Sequence, residues 1–388
     1  MAADVKKFYI KILLFSLPVI VIFSLSTFVM LISGELDSVD NFIKQPAGEK
    51  VVLGLAYSSS FKVLKLKMLL EKPQFPTVLS LGDSRVMQFR SAFFNDKTVF
   101  FNAGGGVEKI KEFKYFLNKI PLEKNPEILI VGLDHCFFNS KWDNLRDDGG
   151  ASKFEHQLSD EYLWDAWRYG IMQVIIDLYN KKINLKKLFD AGGPIRKIGL
   201  NAIFNGNGFI TDGSYYYGKI ISDPGNPESY HDFKFRDTFD RIDKGISRFE
   251  YGSEISSGAL KELKAFLEEC KSRNIYVIGF LPPFAHGVFE KLKTMKDKYG
   301  YLFKLEPAIK KIFNEFGYNF FDVSDMRDVG SSDIEAIDGF HGSEKTYLRI
   351  FIKLIENDDR LKKYSDINYL KRRLKESKSN FIVFEINE

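Results

Sequence analysis

The sequence predicts an α/β protein with a parallel, doubly wound sheet, carried behind an N-terminal transmembrane helix and interrupted by a large insertion. Three observations lead there. A charge-free apolar run fills residues 12–34. Short apolar runs alternate with helical stretches from residue 77 onward, and the alternation lapses between residues 140 and 258 before it resumes. Strands and helices alternating at these lengths read as βαβ units, and so as a parallel sheet.

Composition excludes several classes. The 388 residues are 45% hydrophobic and 28% charged, an ordinary globular balance that rules out disorder and collagen-like repeats. The net charge of +4 is spread along the chain, apart from a basic stretch from Arg360 to Lys378. Nucleic-acid binders concentrate positive charge more heavily, so no nucleic-acid partner is expected. Cys136 and Cys270 are the only cysteines. They form neither a disulfide framework nor a tetrahedral zinc site, and are read as two buried thiols or as one disulfide. His156, His231 and His286 are scattered without metal-ligand spacing, so neither metal nor cofactor is expected.

The run from Ile12 to Gly34 is long enough, as a helix, to span ~30 Å of hydrocarbon. It exceeds the h-region of a cleavable leader, and no A-x-A-like site follows it. Lys6, Lys7 and Lys11 precede it, while Glu35, Asp37 and Asp40 follow. The positive-inside rule then leaves the N-terminus in the cytoplasm and the remainder outside. Residues 1–35 form the anchor in this reading, and 36–75 a stalk or adaptor.

The α/β domain is assigned to residues 76–357, with the insertion at 140–258 and a basic extension at 358–388. Its expected strands are Thr77 to Gly82, Val99 to Asn102, Glu127 to Gly132, Ile275 to Leu281 and Tyr318 to Val323. Helices are expected from Arg85, over Val107 to Lys119, over Ala259 to Ser272, in segments up to about Phe316, and from a Ser343 cap to about Glu356. Within the insertion, Glu161 to Asn180 reads as a helix, and the Gly- and aromatic-rich 192–252 stretch shows no clear periodicity. An insertion of this kind is a lid, a substrate platform or a structural cover. Phe381 to Phe384 reads as an edge strand.

Chemistry-bearing residues collect at the strand ends. Gly82-Asp83-Ser84 follows the first strand, where a hydroxyl is exposed beside free backbone N–H groups. Gly104, Gly105 and Gly106 follow the second, where glycine lets an N–H approach an oxyanion. Asp134 and His135 follow the third. Asp338-Gly339-Phe340-His341 follows the last, and this D-x-x-H spacing lets a carboxylate orient a histidine whose far nitrogen faces a serine. In a parallel sheet all four sites share one rim.

With these motifs the chain resembles an SGNH (GDSL-like) hydrolase, through Gly82-Asp83-Ser84 and Asp338-Gly339-Phe340-His341. The likeness covers about residues 76–140 and 259–357. It implies a flavodoxin-like α/β/α sandwich, Ser84 as nucleophile, His341 as general base and Asp338 as its orienting partner. It also implies an oxyanion hole from the Ser84 N–H, a glycine among Gly104, Gly105 and Gly106, and the third-block position, here Asp134. Two positions depart from the family pattern. Val107 stands where the second block has its later glycine, and Asp134 stands where the third has asparagine. An ionised carboxylate repels an oxyanion, so Asp134 must turn away, stay protonated or bind something else. Arg85 is its candidate partner.

The GDSR and GLD segments look most like the single-pass SGNH partners of membrane-bound O-acyltransferases. That resemblance implies extracytoplasmic O-acyl transfer, with an acetyl group, a cell-surface polysaccharide as acceptor and a membrane-bound O-acyltransferase as partner. A polysaccharide O-acetyl esterase and a non-catalytic binding or scaffold subunit of an export complex are the competing expectations.

Overall fold

The computed structural model describes residues 2–37, 42–43, 50–57, 61–145, 161–189, 193–223 and 232–386. His156, His231, Asp40 and parts of the insertion lie outside them. The described residues hold nine strands: β1 Val51–Leu53, β2 Val78–Gly82, β3 Phe100–Gly104, β4 Ile128–Gly132, β5 Arg196–Ile198, β6 Asn207–Phe209, β7 Tyr215–Tyr217, β8 Tyr276–Leu281 and β9 Asn319–Asp322.

Five of them form one sheet in the order β3-β2-β4-β8-β9, parallel throughout. The strands β2, β3 and β4 are buried at every position, as parallel strands covered on both faces must be. Alternate side chains enter two separate cores. Val78, Ile128, Ile130 and Phe280 pack with Tyr347, Phe351 and Leu354 of the helix Glu344–Asn357. Leu79, Leu129, Val131 and Val277 face the helices Ile110–Asn118, Ser257–Ser272 and Leu305–Glu315 on the other side. The first of these helices buries Ile110, Phe113, Phe116 and Leu117, the spacing of one helical face. Ser256 and Ser343 cap their helices by accepting from the N–H groups of Ala259 and Thr346.

The expected helix from Arg85 is instead a 3₁₀ turn, Ser84–Val86. The Asn102 side-chain amide takes the carbonyls of Val86 (3.0 Å) and Phe89 (2.9 Å), so a longer helix loses those acceptors.

A second, mixed sheet has the order β5-β1-β6-β7. β1 comes from the segment expected as a stalk, while its partners come from the insertion. The helix Phe61–Leu70 buries Leu64, Leu66, Met68 and Leu69 in the main core. Val51–Leu53 and Phe61–Leu70 are therefore packed against the rest, the strand through a partner 145 residues away in the chain. Phe381 to Phe384 forms no strand; Phe381 and Phe384 are buried plugs, tied down by N–H groups of Val383 and Phe384 donating to Glu344. Cys136 and Cys270 are both free and buried.

Among the described residues one helix, Ala2–Ser33, holds a stretch, Val5–Ser33, long and apolar enough to cross a membrane. Gly34, at φ +77°, ends it, and Glu35 accepts from the N–H groups of Ala56, Tyr57 and Leu200. The helix is thus joined directly to β1's loop and to the insertion.

Candidate active site

The main sheet reverses its winding between β2 and β4, and crevices for ligands open beyond the carboxyl ends of strands at such a point. Ser84 follows β2 there. Its Oγ lies 2.9 Å from His341 Nε2, and His341 Nδ1 lies 2.8 and 3.0 Å from the two oxygens of Asp338. An ionised carboxylate only accepts, so Nδ1 donates and Nε2 is left to accept from the serine hydroxyl. Ser84 and His341 are partly exposed.

The loop carrying Asp338 is built locally. Its carboxylate also accepts from the N–H groups of Phe340 (2.7 Å) and His341 (2.6 Å). Burial opposes ionisation of Asp338, but the His341 ring and these two amides outweigh it and hold the carboxyl below its ordinary value. Glycine is required at 339, where a Cβ would lie 2.8 Å from Thr238. The Gly339 N–H donates to Asp232 of the insertion, which also binds Thr238. β7 adds Tyr217, whose phenol is pushed well up by burial and then by the charge of Asp338.

Behind Ser84 lies a buried ionic cage. Asp134, expected at the oxyanion hole, is fully buried and accepts from Arg85 at 2.9 Å and His135 at 2.5 Å. Burial opposes its ionisation, yet Arg85 and His135 prevail and hold it well below the usual carboxylate range. Arg85 also donates to the Pro282 carbonyl at 2.7 Å and lies between the rings of Phe284 and Phe340, 4.3 and 4.4 Å away. Asp83 accepts from the Arg85 N–H and from Arg248, at 3.0 and 2.5 Å. Burial and the charge of Asp134 nonetheless push Asp83 up to about 7, against Arg248. His135 donates through Nε2 to the Arg248 carbonyl at 3.0 Å, so both its nitrogens are engaged.

Arg248 escaped the sequence reading. It sits in the stretch without periodicity, and the signal is conformational: Ser247 and Arg248 both have positive φ, +54° and +80°. Non-glycine residues hold such backbone only when their surroundings enforce it.

The three glycines expected at the oxyanion hole have partners of their own. The N–H of Gly104 donates to the Asn102 side chain, that of Gly105 to the carbonyls of Gly82 and Asp83, and that of Gly106 to Ala103. Each is engaged within the protein and so is not aimed at a ligand. Among the described residues no acceptor faces the Ser84 N–H, which leaves it free for an anion.

One spacing was also missed. His286 and Glu290, four apart on a helix, lie with Asp325 so that their ligand atoms fall within 4.8 Å of one another. His286 is bound to Asp325 at 2.9 Å and Glu290 to Lys293 at 2.7 Å, so these groups already satisfy one another or a neighbour.

Compared with protein-family models, curated proteins and solved structures, the chain matches none.

Proposed function

We propose that this chain is a membrane-anchored, extracytoplasmic serine O-acyltransferase of the SGNH type, working through an acyl-enzyme on Ser84. The observation that carries the reading is the unbroken relay from Ser84 through His341 to Asp338. His341 Nε2 takes the hydroxyl proton as Oγ attacks an acyl carbonyl, and Asp338 stabilises the imidazolium that results. The Ser84 N–H supports the oxyanion, and collapse expels the donor's leaving group with the proton from His341. A sugar hydroxyl, deprotonated by the same base, then takes the acyl group and frees Ser84.

The main sheet's strand order supports a flavodoxin-like sandwich, since β3-β2-β4-β8-β9 reads as 2-1-3-4-5 when its strands are renumbered. The apolar helix and its basic N-terminal flank support an anchor with the domain outside. Acetyl donors such as acetyl-CoA are cytoplasmic, so transfer to a surface polysaccharide requires a transmembrane partner to deliver the acyl group. A membrane-bound O-acyltransferase fits that role.

The engagement of all three glycine amides favours one competing reading, a non-catalytic binding subunit. Mass spectrometry of the purified chain after exposure to an activated acetyl ester separates the two. An acetyl adduct on Ser84 that is passed to an added glycan is expected; passage to water alone makes the protein an esterase. No adduct on the wild-type chain sinks the enzymatic reading.

A further inference from the structure

The insertion helix Glu161–Tyr179 packs along the outer end of the anchor. From Val5 to Ser24 the anchor buries no residue, whereas Ser26, Val29, Met30 and Ser33 are buried. The contact is specific. Trp167 Nε1 donates to Thr27 Oγ1 at 3.0 Å, and Ser26 Oγ donates to the Ile171 carbonyl at 2.6 Å. The two helices also touch at Gly170, where a Cβ would lie 2.4 Å from the flexible end of Met30.

Length decides where this contact sits. The thirteen residues from Ile12 to Ser24 rise about 20 Å as a helix, about 10 Å short of a typical hydrocarbon core. Lysine stems reaching back to the headgroups extend the span by roughly a turn before Lys11. The outer hydrocarbon edge then falls at roughly residues 25–31 of the anchor. Those are the residues that carry the insertion helix. At that level Trp164 and Trp167 stack at 4.7 Å, Trp167 lies 6.2 Å from Phe23, and Trp164 is 59% exposed. Phe189, 66% exposed, returns to within 6.4 Å of Phe28, and Lys186 is exposed on the same short helix. Aromatic rings with a basic residue beside them are the chemistry of the membrane interface. Exposed Asp165 and Arg168 next to the tryptophans suit headgroup depth and not the bilayer centre.

We infer that the helix Glu161–Tyr179 is a second membrane-contacting element, its Trp164–Trp167 stack seated at the outer hydrocarbon–headgroup boundary and Lys186 facing lipid phosphate. The inference rests on the anchor reading of the N-terminal helix. It makes the extracytoplasmic domain a body held on the bilayer at fixed height, since Glu35 already joins the anchor's end to Tyr57 and Leu200.

The test uses the full chain in vesicles of phosphatidylcholine and phosphatidylglycerol, with bromine atoms on shallow acyl carbons as quenchers. The chain has three tryptophans. Wild-type emission is expected to fall by roughly half or more in the brominated vesicles, and the Trp164→Phe/Trp167→Phe variant to lose that response. Protein that floats with the vesicles but is not quenched overturns the inference alone, and leaves the aromatic face to an integral membrane partner. So does a double variant quenched as strongly as the wild type. Protein that fails to float overturns the anchor reading as well.

Discussion

Two carboxylate sites meet at Ser84 and are built in opposite ways. In the Asp338–His341 loop, a carboxylate three residues before its histidine makes the contact, and its remaining bonds come from the Phe340 and His341 amides. The side chains of Asp338 and His341 are 23% and 20% exposed. In the cage, Asp83, Asp134 and Arg85 are at most 1% exposed, and their partners arrive from the ends of β2, β4 and β8 and from the insertion. Exposure lets water compensate a lost partner in the loop, so damage there falls on chemistry. Burial denies that in the cage, where an orphaned charge falls on stability.

The sharpest way to break this comparison is at the relay. Ser84→Ala is expected to abolish acyl-enzyme formation, and His341→Ala to slow it on the order of 10⁴-fold. Thermal midpoints should stay near wild type in both. A large fall in midpoint would show that the loop side also carries stability.

The cage predicts the converse. Arg85→Ala leaves Asp134 buried without its main partner and is expected to cost about 3–5 kcal/mol in denaturant unfolding. Asp134→Asn, which family resemblance reads as restoring an oxyanion donor, is expected to destabilise in the same direction, because Arg85 then loses its carboxylate. Wild-type stability in both variants would remove the distinction between the two sites.

Arg248 lies between the extremes, 20% exposed at its side chain and bound to Asp83 beside Ser84. Arg248→Gln is expected to slow acylation about 10²-fold through misplacement of Ser84, with substrate binding little changed. Stopped-flow acylation against substrate concentration reads this split, and a change confined to binding would instead assign Arg248 to substrate contact.

The last comparison is in pH. Asp83 has a folded value raised to about 7 from an ordinary 3.8. The stability it contributes is full below its unfolded value and is lost as pH rises through about 7. Asp338 has the opposite sign: its contribution is present above its unfolded value and fades as acid protonates the folded carboxyl. Stability curves of wild type and Asp83→Asn should therefore converge near pH 4 and separate toward pH 7. Parallel curves would place the Asp83 proton elsewhere.

What the sequence alone determined was whatever depends on near neighbours in the chain. The apolar run of the N-terminal helix, the buried strands such as Ile128–Gly132, the Ser343 cap and the D-x-x-H loop all follow from spacings of a few residues. The Arg85–Asp134 pair was also legible, because both side chains start at the ends of neighbouring strands. The rest was decided by tertiary structure. β1 found its partners in the insertion, the glycine amides were taken by Asn102, Gly82, Asp83 and Ala103, and Arg248 reached Asp83 across 165 residues. Strand pairing and buried charge are satisfied by whichever group the fold brings within about 3 Å, and local spacing carries no record of that choice.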